Sequence, residues 1–222
     1  MKLPTMLQLF LISVFLLTLS CSKYETGGTW NYQNKWCKVQ QVGSHLMFLG
    51  DDGSLLQPSK DIDPTLFAVG NRFKILYIKL GEAGHYSGNA DATLVELIHV
   101  RYVLVTPILV DSLRNVHSDP VALNDPPFIG GGYINFDFVF DFASKDIEHS
   151  IELVQDTIVN RICKMRLLHL ANGDRGGSFA SALVSFPLNG LDRSSIDSLV
   201  IDVQGYNNQL TNCRLSMRDS IH

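Results

Sequence analysis

The run from Ile134 to Phe142 alternates without a break: Ile134, Phe136, Phe138, Phe140 and Phe142 fall on one side, Asn135, Asp137, Val139 and Asp141 on the other. A side-chain period of two belongs to a β-strand, and a row of large apolar groups on one face needs a second apolar layer to cover it. The rest of the chain fits that requirement. From Trp36 onward it consists of short apolar runs divided by turn signals, and no helical periodicity of useful length follows residue 21. Five runs precede residue 106: Trp36 to Val39, His45 to Leu49, Leu55-Leu56, Phe73 to Ile78 and Thr93 to Val105, with Asp52-Gly53 as the clearest hairpin signal. Short strands this closely spaced predict a small β-barrel. After Gly130-Gly131-Gly132 the strands Ile134 to Phe142, Ser150 to Val154, Ile162 to Leu170, Ala180 to Phe186, Leu199 to Val203 and Cys213 to Met217 predict a β-sandwich. The expected fold class is therefore all-β, a small barrel followed by a sandwich.

The first residues constrain location. Lys2 is the only charge before Cys21, Leu3 to Leu19 is nearly all apolar, and the run closes on Leu19-Ser20-Cys21. Pro4 and Gln8 interrupt it and no basic stop-transfer cluster follows, so it reads as a cleaved secretory signal, residues 1–20, rather than a membrane span. It resembles a bacterial lipoprotein signal, which implies acylation of Cys21 and a lipid bilayer as the first partner. The polar stretch up to Asn34 is the expected tether, residues 21–34.

Composition excludes several functions. The chain has 18 basic and 22 acidic residues, net charge −4, with no basic stripe, so no nucleic-acid partner is expected. Beyond Cys21 the cysteines are Cys37, Cys163 and Cys213, with no Cys-x-x-Cys pair, which rules out a zinc ribbon. Cys163 and Cys213 are each in phase with core positions, and two buried thiols are expected rather than a bridge.

The stretch Thr106 to Phe128 holds Pro107, Pro120, Pro126 and Pro127 and is expected to connect a barrel over 35–110 to a sandwich over 111–222. Where two β domains meet, pockets often form. Phe128, Ile129 and Tyr133, apolar groups beside flexible glycines, are the candidate binding surface, with domain packing as the alternative role.

Several blocks then carry a resemblance: Asp119-Pro120, Asn124-Asp125, Phe128 to Phe136 (FIGGGYINF), Leu167 to Asp174 (LLHLANGD) and Phe48 to Gly53 (FLGDDG). Together they resemble the NigD-like lipoproteins of the Bacteroidetes. The resemblance implies an N-terminal OB-like barrel, a C-terminal β-sandwich and a lipid-anchored place in the cell envelope, at the outer membrane. It implies no established activity, and the family name hints at bacteriocin immunity.

Spacing limits the chemistry open to the polar residues. His45, His85, His99, His117, His149, His169 and His222 show no His-x-His or His-x-x-x-His spacing, so no metal is expected, and His169 reads as a core histidine satisfied by backbone. Asp137 and Asp141 lie about 13 Å apart along a strand, too far for a glycosidase pair, and read as a solvated sandwich face. Gly177 to Ser181 lacks the second glycine of a nucleophile elbow and reads as a loop. The expectation is a non-enzymatic recognition or protective lipoprotein, without cofactor, whose partner is an envelope protein, a toxin or a glycan. A glycan-binding accessory protein or a structural envelope component is the alternative.

Overall fold

The computed structural model describes residues 31–86, 90–110 and 116–218. Cys21, the signal segment and most of the expected tether lie outside the described residues.

Five strands build the barrel: β1 (Tyr32–Val42), β2 (His45–Gly50), β3 (Leu55–Pro58), β4 (Arg72–Tyr86) and β5 (Ala90–Val105). The first strand starts inside the stretch expected as tether. Each strand lies antiparallel to its neighbour in the order β3-β2-β1-β4-β5, and β3 then pairs parallel with β5, Leu55 opposite Ala92, which closes the ring in OB-like order. Closure needs bent strands. The β4–β5 ladder supplies them through register shifts at Leu76/Tyr77, Lys79/Gly81 and Glu82/Gly84. The interior is filled by Cys37, Val39, Phe48, Leu56, Phe73, Ile75, Tyr77 and Val95.

The proline-rich stretch was expected as a plain connector, yet it contributes three short strands: β6 (Ile108–Val110), β7 (Ala122–Leu123) and β8 (Phe128–Gly130). Pro107 precedes β6 and the other three prolines fall between these strands, where a missing N–H costs no ladder bond. The sandwich continues with β9 (Tyr133–Phe142), β10 (Ser150–Val159), β11 (Ile162–Leu170), β12 (Ser178–Pro187), β13 (Ser198–Gln204) and β14 (Leu210–Ser216). One layer runs β14-β13-β11-β10-β6; in the other, β9 pairs with β12, β7 and β8. The second layer belongs to the same nine-stranded sheet as the barrel, because the start of the β12–β5 contact pairs Val184 with Leu104. Gly177 to Ser181 is thus largely strand, not loop: β12 begins at Ser178 and pairs with β9 from there.

The triple glycine makes a two-residue hairpin between β8 and β9, with Gly131 at φ 58° and Gly132 at φ 84°. Both central positions need positive φ, which glycine adopts without strain. Between the layers pack Ile134, Phe136 and Phe138 from β9, Val184 and Phe186 from β12, and Leu153, Met165, Leu199 and Ile201 opposite them. Cys163 is buried and Cys213 half-buried; both are free thiols, separated by β13. Burial pushes the Cys163 thiol up to about 11 and the Cys37 thiol up to about 12, so both are poor nucleophiles at neutral pH.

Phe136 is fully buried whereas Phe179, on β12, is 70% exposed. Phe136→Ala should therefore cost about 3–5 kcal/mol in urea denaturation, and Phe179→Ala within about 0.5 kcal/mol. Equal costs would contradict the layer assignment.

Candidate functional site

The seam between barrel and sandwich is the candidate site, and its centre is polar. Arg72, at the start of β4, is 1% exposed. Its Nη2 donates to Asp51 Oδ2 at 2.8 Å and to Asn135 Oδ1 at 3.1 Å, and its Nε to Ser185 Oγ at 3.1 Å. Asn135 Oδ1 also accepts from Ser185 Oγ at 2.6 Å, while its Nδ2 donates to Asp51 Oδ2 at 3.2 Å. The guanidinium carbon lies 4.0 Å from the centre of the Tyr133 ring. One barrel charge thus holds the β2–β3 turn, β9 and β12 together.

Two residues along β4, Lys74 repeats the pattern. Its Nζ donates to Asp137 Oδ2 at 2.8 Å, Asn124 Nδ2 donates to Asp137 Oδ1 at 2.7 Å, and Arg101 Nη1 lies 3.8 Å away. Asp137 is 6% exposed, which corrects the solvated-face expectation. Burial alone would push its carboxyl up; the Lys74 and Asn124 hydrogen bonds and the Arg101 charge outweigh this and hold it below the usual carboxylate value. Asp141 is also engaged, accepting from Gly176 N at 2.7 Å and Tyr206 Oη at 3.2 Å. The back face of β9 is polar because it meets the barrel and ordered turns rather than water.

Two of the three candidate residues, Phe128 and Tyr133, lie in this seam. Phe128 sets its ring edge-on to Trp36 at 5.7 Å, Tyr133 covers Arg72, and Ile129 packs on the sandwich core. Trp36, Val103 and Leu183 form the small apolar cluster of the seam. Arg72 was not singled out from sequence, and Asp51 stood only within the Phe48 to Gly53 resemblance block, with no role in the seam. The available signal was the match between Arg72 and Lys74 on β4 and Asn135 and Asp137 on β9, polar pairs at the same spacing of two.

Farther along, the sandwich edge opens into a cavity of about 440 Å³, lined by Arg101, Tyr102, Leu104, Phe140, His149 and Ile151 among others. His149 ends a buried chain. Its Nε2 lies 3.0 Å from Asp174 Oδ2 and its Nδ1 lies 2.9 Å from His169 Nε2. Asp174 Oδ1 accepts the N–H groups of Ala143 and Ser144, both at 3.0 Å. His169 is 1% exposed, so it is a core histidine as expected, but its ring partner is another histidine rather than backbone. The Asp119-Pro120 and Leu167 to Asp174 blocks meet here, for Asp119 Oδ2 accepts the Ala171 N–H at 2.9 Å. With both ring nitrogens engaged, His149 is a wall of the cavity. Among the described residues, no group of three or more His, Cys, Asp or Glu side chains is placed to hold a metal ion.

Burial, then the adjacent His149, hold His169 below the ordinary histidine value. Burial pushes Asp174 up, but the His149 and backbone hydrogen bonds outweigh it and hold its carboxyl low. A histidine whose folded value is depressed takes up its proton more readily when unfolded. Its contribution to stability is therefore full above the unfolded value of about 6.5 and is lost as pH falls through it. The depressed Asp174 adds a further loss at lower pH, below about 4. Denaturation midpoints should fall from pH 8 to pH 5, and His169→Gln should flatten that slope. An unchanged slope in His169→Gln would refute the assignment. Removing the charge at the other end of the seam gives a second check: Arg72→Met should destabilise by about 3–5 kcal/mol, and the Arg72→Met, Asp51→Asn double variant by less than the two single losses added, because the stranded carboxylate is gone.

The family model for the NigD-like C-terminal β-sandwich domain matches residues 105–217. Among solved structures, a protein of unknown function from Bacteroides vulgatus superposes with TM-score 0.68 at 20% identity, covering 84% of this chain and 90% of that one. A candidate lipoprotein from Bacteroides fragilis gives 0.61 at 13% identity, covering 84% and 98%. A NigD-like immunity protein from Bacteroides caccae gives 0.53 at 18% identity, covering 84% and 92%. No curated protein matches. These likenesses share the fold, and the domain match spans half of the chain. The chain belongs to the NigD-like family, with residues 105–217 as its C-terminal β-sandwich domain.

Proposed function

We propose that this protein is a non-catalytic recognition protein of the cell envelope, anchored in the outer membrane through acylated Cys21, that protects its cell by binding a toxin or another envelope protein at the seam. The observation that carries this reading is the seam cavity whose one wall histidine has committed both ring nitrogens to Asp174 and His169. Such a cavity offers shape, apolar surface and backbone, while its histidine is tied through Asp174 to the Ala143-Ser144 turn. Likeness to an immunity protein and to a candidate lipoprotein supports the same reading. Several acyl chains on Cys21 would make the anchor stable, since one chain alone binds membrane only marginally. From Cys21 to Tyr32 the extended chain spans at most about 40 Å, which keeps the body close to the bilayer.

The test is a deletion strain complemented with the wild-type or the Cys21→Ser chain. The wild type should fractionate with outer membrane and restore survival against bacteriocin-containing supernatants of related strains, whereas Cys21→Ser should be released from membrane and restore little. Equal membrane partitioning of both forms would refute the anchor, and equal killing with and without the chain would refute protection. A hydrolytic turnover abolished by His149→Gln would refute the non-catalytic reading.

A further inference from the structure

The nine-stranded sheet is split along one line. Strands β5 and β12 run parallel and pair only at Leu104 with Val184 and Val105 with Ser185. The other partner on that side of β5 is β3, which covers Ala92 to Val95. Among the described residues, no strand pairs with β5 over residues 96–103 on this side, nor with β12 over residues 178–183 on the side away from β9. The two strands therefore diverge into a cleft, and the 440 Å³ cavity lies in it.

The backbone direction follows from parity. The Thr106 N–H donates to the Ser185 carbonyl, so the polar backbone groups of Ser185 point away from β9 and toward β5. In an antiparallel ladder, alternate residues point the same way. The N–H and C=O groups of Phe179 and Ser181 and the N–H of Leu183 therefore point into the cleft from β12, and those of Tyr102, in phase with Thr106, face them from β5, while Leu104 closes the apex by pairing with β12 at Val184. Arg101 crosses the barrel side of the gap, its Nη2 meeting Ser181 Oγ.

We propose that an extended segment of a partner polypeptide inserts between β5 and β12 as an added strand. This rests on the recognition reading above and names its partner's chemistry. The open amides of Phe179, Ser181 and Leu183 repeat every two residues along β12, about 6.6 Å, which the backbone of a strand matches and the hydroxyls of a glycan do not. Charge complementarity points the same way. Open sheet edges are usually guarded by Lys, Pro or inward charges, yet Ser178 to Leu183 (SFASAL) contains none. The Arg101 cation in the lining is already engaged by Ser181 Oγ and lies 3.8 Å from Asp137, so the cleft fits an uncharged segment whose alternate side chains are apolar, to lie over Phe140, Ile151 and Ala182. A second folded copy is disfavoured because its own β12 edge is flanked by its own β5.

The test is hydrogen exchange with single-residue fragmentation on the full chain in detergent, with an acetylated, amidated Thr-Val-Thr-Val-Thr-Val peptide as probe and Thr-Pro-Thr-Pro-Thr-Pro as the donor-poor control. In the free chain, Phe179 and Ser181 should exchange at least a hundredfold faster than Ala180 and Ala182, whose amides face β9. The first peptide should slow Phe179, Ser181 and Tyr102 at least tenfold, the control should not, and Phe179→Lys should weaken the effect tenfold without changing Tm. Slow exchange at Phe179 and Ser181 in the free chain would overturn the proposal, because the edge would already be covered. So would unchanged exchange at millimolar peptide, or protection that appears only with a concentration-dependent dimer in sedimentation. Insertion without any protection of cells would refute the immunity reading alone. Protection of cells without insertion would refute this inference alone.

Discussion

The Arg72 guanidinium is almost free of water, and a buried charge of that size costs several kcal/mol unless it is paired and fully hydrogen-bonded. Its three hydrogen-bond partners come from the β2–β3 turn, β9 and β12. The barrel strand that carries the arginine is therefore satisfied only when the sandwich layer is docked in one register. The requirement propagates into the backbone. A Cβ at Gly131 would stand 2.3 Å from Asp51 Oδ1, so the hairpin that supplies Tyr133 must be glycine both for its φ and for the approach of the carboxylate.

Each half already has its own apolar core, the barrel around Phe48, Phe73 and Ile75 and the sandwich around Phe136, Phe186 and Met165. The apolar part of the seam is small by comparison, limited to Trp36, Val103 and Leu183 with Phe128 at the rim. Apolar contacts are nondirectional, so so small a cluster fixes orientation poorly. The two charged clusters, Arg72 with Asp51 and Lys74 with Asp137, supply the direction instead. The joint they fix is narrow, two residue pairs of β5 and β12, and that leaves the cleft beside it open.

The strands were legible in the sequence because alternation and turn residues are local signals, and the barrel and the sandwich rest on them; the triple glycine read only as the entry to a strand, and its hairpin with β8 did not show. What stayed hidden depends on pairing at long range. Asp137 reads as solvated because polar residues alternating with phenylalanine usually face water, and only the position of Lys74, 63 residues earlier, reverses that. Likewise His149 and His169 have no metal-like spacing, yet the β10–β11 hairpin brings them together, with His169 opposite Ile151. The β12 edge was misread as loop because two glycines precede it. The candidate ring Tyr133 was found from composition alone, but its contact with Arg72 could not be.

Proton placement connects the histidine chain to the cleft. Asp174 is a carboxylate, so it accepts from His149 Nε2, and one proton must then serve both His149 Nδ1 and His169 Nε2. In the neutral pair His169 Nε2 owns it and donates to His149 Nδ1, because the one proton of a neutral His149 is already on Nε2. An added proton can be held only on His169 Nδ1, because a second proton between the rings would set two donors against each other. That nitrogen has no partner at regular hydrogen-bond geometry, although the Pro120 carbonyl is near enough to favour a proton there. A proton on that nitrogen is therefore poorly served. Asp174 in turn holds the Ala143 and Ser144 amides, and His149 stacks on Phe140 at 4.9 Å. The same chain of contacts therefore ties the turn after β9 to the ring that forms the cavity wall, and a proton added to His169 places its charge at the buried end of that chain.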